Sequence, residues 1–473
     1  MTLFGRASVV SPTVVCAIVF FLASADRLFT IRTGTMNVRF ASVVLLAAFV
    51  VFAVTRGRKS IDDVRTLTIA WLPFIAMYAL AAATSQATAP TMLKLGWFAF
   101  DFVVAFAATA LFNARDVARG YFLSYLVIAS IIAIDFVTGF TRGSDHMIGY
   151  GQANDMVPGI LLFRPHAFYY EPSFAASALA LAWALALTGM RDAAPKLAGA
   201  LAVVGAIALV LMTSRIGWFY AAVTAAAVLV FRYREGTLRL SSLARASIPI
   251  VLIVSVLAGV IAFSDKRDAI AGLAGRLGFA QAFERVCPLV AAQFAADLHC
   301  LSGDARRAFM GEGQPFNAGE TTEGLRLVAL RTAVATIVQH PWLGVGVSYG
   351  RDRFIAAPEV ANLWLEVAVE GGLLTLFAFA FGVTYTSWRW GMFEARHRDI
   401  LIVVALWLLI VWQFIQTFPR LDLWIAFWVV LAWTRRDSQL ARVDPPGLRE
   451  PAQGPQQSCP PSAIGCAAHS SLH

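Results

Sequence analysis

The stretch "PSFAASALALAWALALTG" at 172–189 runs for eighteen residues without one charged side chain. A helix needs about 20 mostly apolar residues to cross a hydrocarbon core about 30 Å thick. This run therefore reads as a membrane span. Working outward, similar runs occupy 9–25, 38–54, 66–83, 92–112, 120–140, 196–213, 215–231, 246–263, 362–385, 399–418 and 421–434. They are continuous rather than alternating, which excludes a membrane β-barrel. The expected fold class is all-α: a polytopic integral membrane protein with about 12 transmembrane helices.

Composition points the same way. The chain is 59% hydrophobic and 14% charged, whereas soluble domains hold roughly 25% charged residues. The formal net charge is +9, but lysine and arginine are scattered through short loops and form no dense basic face. Nucleic acid is not an expected partner. Arg6 alone precedes the first run, and no clean small-residue cleavage site follows, so an uncleaved first span is expected.

Basic residues bias a loop toward the cytoplasm. With the N-terminus inside, segments 1–8, 55–65, 113–119, 190–196, 232–245, 386–398 and the tail hold 20 Lys and Arg, against 8 in the short outer segments. Both termini are then cytoplasmic. The expected organisation is helices 1–9 in 1–263, a large outer loop in 264–361, helices 10–12 in 362–437, and a disordered cytoplasmic tail in 438–473. That tail, with "DPPGLREPAQGPQQSCPPS" at 444–462, is too rich in Pro, Gly, Ser and Gln to build a core.

Sidedness places the chemistry-bearing residues on the outer face. "RPHAFYYEPS" spans 164–173. Pro172 suits a first helical turn, which leaves Glu171 at the helix start. A carboxylate there complements the helix dipole, and it is also a candidate base. Arg164, His166, Tyr169 and Tyr170 add a cation, a titratable ring and stacking surfaces suited to sugar phosphates. Arg215 follows a short turn and opens an inward-running helix, where anions are favoured; it reads as a snorkelling side chain or as a phosphate clamp. His340 precedes Pro341 in "QHPWLGVG" and is either a loop residue or a base.

Asp101 lies mid-span and is expected in a structural hydrogen bond, whereas Asp135 is nearer the outer end. Glu366 and Glu370 are four apart and share a helix face, beside Gly371 and Gly372, which permit close helix packing. Cys287 and Cys300 share the long loop, and a disulfide between them is left open. No cysteine–histidine spacing resembles a metal site, and no cofactor is expected.

Three segments taken in order resemble the O-antigen ligase / Wzy-type polysaccharide polymerase superfamily: "RPHAFYYEPSFAA", "LMTSRIGWFYAA", and "IVQHPWLGVGVSYGRD" followed by "ANLWLEVAVEGGLLTLFAFA". The resemblance covers roughly residues 90–435. It implies a metal-independent glycosyltransferase of the bacterial inner membrane, with the 264–361 loop periplasmic, whose donor is a glycan on undecaprenyl diphosphate at the periplasmic face. The acceptor is another lipid-linked repeat unit in a polymerase, or lipid A-core in a ligase. Arg164, Arg215 and Arg326 match the diphosphate-holding arginines, and Trp342 joins the tyrosines and His166 as a tentative glycan contact. Ligases carry His-Asn where this chain has Ala361–Asn362. That departure favours a polymerase and leaves Glu171 or His340 as the base. A ligase or a lipid-linked glycan transporter or flippase is the alternative. Membrane lipid, a chain-length regulator and a flippase are the implied partners.

Overall fold

The computed structural model describes residues 11–24, 30–33, 36–56, 61–84, 88–138, 156–157, 162–163, 167, 169, 172–212, 214–236, 322–346, 362–410 and 421–443. Twelve α-helices lie among them: α1 Pro12–Ser24, α2 Phe40–Arg56, α3 Ile61–Thr84, α4 Thr88–Ala110, α5 Ala114–Thr138, α6 Pro172–Ala186, α7 Pro195–Leu211, α8 Arg215–Arg234, α9 Thr322–Gln339, α10 Leu363–Arg389, α11 Arg398–Ile410 and α12 Leu421–Val443. Two short antiparallel ribbons join them, β1 Thr30–Thr33 with β2 Met36–Arg39 and β3 Met156–Val157 with β4 Leu162–Phe163.

Eleven of the twelve expected apolar runs coincide with a helix; the run 246–263 lies outside the described residues. Among the described residues, four helices are long and apolar enough to cross a membrane: Asp62–Thr84, Ala114–Asp135, Ile216–Arg234 and Leu363–Arg389. The twelfth helix, α9, lies in what reads from sequence as the large loop. The remainder of that loop, with Cys287 and Cys300, is outside the described residues except for 340–346.

The opening stretch of sequence becomes the centre of the bundle. From Ala175 to Leu187 every residue of and just after α6 is buried, as expected of a helix that is apolar all round. Its alanines let α5, α7, α8 and α11 pack against it. A second nucleus is aromatic. Trp71, Phe98, Phe102, Trp424 and Trp428 are buried on α3, α4 and α12, with Trp71–Phe102 centroids at 4.6 Å and Phe102–Trp428 at 4.8 Å. Tilted and edge-on pairs of this kind add about 0.5–1.5 kcal/mol each beyond burial. Their N–H groups are satisfied internally, Trp71 Nε1 by Thr386 Oγ1 at 3.1 Å and Trp428 Nε1 by the Phe102 carbonyl at 3.2 Å.

Charged groups gather at one end of this bundle. Asp399 accepts the Gly189 N–H at 2.8 Å and lies 3.6 Å from Arg232. Arg119 donates to the Ala193 carbonyl at 2.8 Å. Asp63 pairs with Arg435 at 2.7 Å, and His397 bridges the Gly391 carbonyl and Asp437 at 2.8 and 3.1 Å. These groups come largely from the segments that sequence alone leads one to expect in the cytoplasm. The same contacts carry α12 to Val443, into the segment expected to be tail: Asp437, anchored to His397 and Arg396, holds the helix past residue 434. Residues 444–473 lie outside the described residues.

Candidate functional site

Helix direction fixes what lies at the other end. α8 and α10 finish in the charged network, so their first turns, with that of α6, lie opposite. From Arg389 back to Glu370 is nineteen residues, or about 28 Å of helix at 1.5 Å each.

There α10 is broken. Gly372 has φ 74° and ψ 177° inside the helix, a left-handed φ that only glycine adopts freely. The carbonyls before it lose their ordinary helical donors, and the chain 340–346 supplies others. Val345 N–H donates to the Val369 carbonyl at 2.9 Å and Gly346 N–H to that of Glu370 at 3.0 Å. Leu373 N–H, in turn, donates to the Pro341 carbonyl at 2.7 Å. Gly344, at φ 67°, lies so close that a Cβ there would meet the Val369 carbonyl oxygen at 2.5 Å and Glu370 C at 2.6 Å. The His-Pro/Gly-x-Gly motif and the Glu-Gly-Gly motif are thus one unit, a glycine-lined loop laid into a helix break. Sequence suggested that Gly371 and Gly372 serve close helix packing; Gly372 instead admits the 342–343 backbone.

Glu370, 8% exposed, accepts a 2.5 Å hydrogen bond from the Tyr78 hydroxyl of α3. Glu366 is one turn earlier on the same face, its Oε2 enclosed by protein. Asn362 caps α10, its side-chain oxygen accepting Leu365 N–H at 3.1 Å. His340 and Trp342 are exposed, Trp342 at 62%.

The first turns of α6 and α8 meet as well. A Cβ on Gly217 would stand 2.8 Å from the Ala176 Cβ, so only glycine permits this approach. Ser214, the residue before α8, makes no side-chain cap. Two helix starts side by side present backbone N–H groups and aligned dipoles that favour an anion.

The expected site residues distribute as follows. Arg215 is the first residue of α8, and Arg326 lies in the first half of α9; both are described at the level of the backbone. Arg164, His166, Tyr170 and Glu171 lie outside the described residues, although Pro172 does begin α6. Tyr169 is 1% exposed, its hydroxyl 3.4 Å from that of Tyr125. It is a packing residue of the bundle, not an open stacking surface. Its neighbourhood includes Asp422, also buried, whose charge acts on Tyr121 and Tyr169. Asp101 and Asp135 are buried and engaged.

Sequence reading passed over Tyr78 and Asp422. Tyr78 carries no local signal, since one tyrosine in an apolar run looks like any other. Asp422 does carry one, as a carboxylate at the start of an apolar run.

Residues 200–380 match the family described as O-antigen ligase (Wzy_C). No curated protein matches the chain.

Proposed function

We propose, from the match of residues 200–380 to the O-antigen ligase (Wzy_C) family, that the chain is a polymerase of lipid-linked oligosaccharide repeat units. The coarser reading, a membrane enzyme of the O-antigen ligase/polymerase group acting on lipid-linked glycans, follows from the family. The polymerase reading adds an acceptor: the terminal sugar hydroxyl of a second undecaprenyl-diphosphate-linked repeat unit, on the periplasmic side of the inner membrane. In this reading twelve spans place both termini in the cytoplasm.

The supporting observation is the pairing of the α6 and α8 first turns through Gly217 and Ala176. Arg215 opens one of these helices, and Glu171 immediately precedes the other in sequence. Donated N–H groups and guanidinium charge would stabilise the negative charge growing on the departing diphosphate, an effect that is often the largest in such chemistry. Arg164 and Arg326 are the further cations of this reading. Glu171 takes the acceptor proton as general base, worth about 10²–10⁴ in rate. His340 is the second candidate base or an orienting group. Exposed Trp342 offers a face to a sugar, with His166 and Tyr170 as further glycan contacts.

The absence of a histidine at Ala361 favours this reading over a ligase, and the expected clustering of chemistry-bearing residues on the outer face, with Asp101 alone speaking for transport, favours it over a transporter. The test is a gel of surface and secreted polysaccharide from cells carrying Glu171→Gln or Arg215→Ala. The proposal expects single repeat units or no polymer, with the protein still present in membranes. Long polymer that fails to attach to lipid A-core would instead identify a ligase.

A further inference from the structure

We propose that the second half of α9 and the turn after it lie in the outer leaflet of the bilayer, so that the His340–Gly346 loop stands at headgroup level. Sequence reading placed this segment in an aqueous loop. The exposure pattern argues otherwise. Leu330, Val334 and Val338, spaced four apart, are 43%, 47% and 73% exposed, and Trp342 continues the series at 62%. At 100° per residue the three helical positions fall on one strip of the helix. Ala333 and Thr336 are buried on another side, where α9 packs on α10. Thr332 and Gln339 occupy the third side and are exposed, with exposed Arg331 between that side and the apolar strip. A helix with one face on protein, one apolar and one polar fits a lipid–water boundary, and a tryptophan at its end suits that depth.

The occupant follows from continuity. Pro341 and Leu373 are joined by a 2.7 Å hydrogen bond. The residues that follow them, Trp342 and Leu374, are both exposed. From Leu374 an exposed apolar strip continues down α10 through Phe377, at 65%, and Phe381. α10 is one of the helices long and apolar enough to cross a membrane, so this strip faces acyl chains. The α9 strip joins it at the loop, and the same lipid covers both. A lipid-linked substrate would then meet the loop without leaving the membrane plane. The inference rests on membrane insertion of α10 and not on the donor or acceptor assigned above, so either can fail alone.

The test uses the full chain in nanodiscs holding one copy each, doped with a phospholipid bearing a photoactivatable diazirine on its acyl chain. Adducts are mapped by peptide mass spectrometry, with Phe377 as internal reference. The expected result is adducts at Leu330, Val334 or Val338 within about threefold of the Phe377 yield, and at least tenfold fewer at Thr332 and Gln339. Adducts at Phe377 with none across 330–342 would overturn the proposal. So would α9 adducts that vanish when two copies share a disc, since a second copy would then be the natural cover.

Discussion

Gly372 shows how much one residue decides. Its left-handed φ breaks α10, and the freed groups are bonded again by the 340–346 chain. Gly372→Ala would put a methyl against the Trp342 carbonyl and Leu343 nitrogen in a conformation that strains an L-residue by about 1–3 kcal/mol. The expected outcome is a clear fall in the thermal midpoint of the detergent-solubilised protein. Gly96→Ala supplies the contrast. It lies within α4 with nothing within 4 Å of its added Cβ, and the change should be neutral or stabilising by up to about 1 kcal/mol. Equal losses in both variants would mean that the α10 break is not what Gly372 provides. Tyr78→Phe removes a hydroxyl donor from buried Glu370 and should cost roughly 1–3 kcal/mol. Most of that coupling should disappear in a double-mutant cycle with Glu370→Gln.

At the scale of elements, Gly217 holds two helix starts together. Gly217→Leu must push α8 off Ala176. The variant is expected to reach the membrane in normal amount yet lose most polymer, read by immunoblot and polysaccharide gel from the same cells. The 390–398 connection makes a different prediction. Burial pushes the Glu394 carboxyl upward, but the Ser438 hydroxyl and the Arg396 guanidinium outweigh it and hold it below the ordinary carboxylate range. A lowered value means the stabilisation is present above about pH 4.3, the ordinary glutamate value, and is lost as pH falls through the lowered one. Glu394→Gln should therefore lower the thermal midpoint at neutral pH and flatten the acid limb, so that the two profiles converge below the lowered value.

The helices themselves were legible, because uncharged runs near span length admit few other readings. Their joining was less so. Nothing local distinguishes the Gly372 break from a packing glycine pair, since the difference lies in a loop twenty-six or more residues earlier in the chain. α9 was hidden for a related reason. Glu323, Arg326 and Arg331 interrupt its apolar pattern, so it reads as loop although its second half carries an apolar strip. Tyr169 looked like an available ring because its burial depends on Tyr125, 44 positions away.

At the scale of the molecule, two ends with opposite characters emerge from one sidedness. Asp63, Arg119, Arg232, His397, Asp399 and Asp437 lock one end through ion pairs and hydrogen bonds. The other end holds the broken α10, its docked loop and the paired starts of α6 and α8. In the proposed polymerase reading, the charged end would hold the bilayer position and the glycine-built end would admit two lipid-linked substrates. The most direct measurement is polymerisation by the purified chain in liposomes. The vesicles hold undecaprenyl-diphosphate-linked repeat units and no other protein, and products are resolved by length. The account predicts a ladder from the parent chain and, from Arg215→Ala and Glu171→Gln, a rate at least a hundredfold lower. No ladder from the parent, together with transfer of preformed glycan to added lipid A-core, would contradict it.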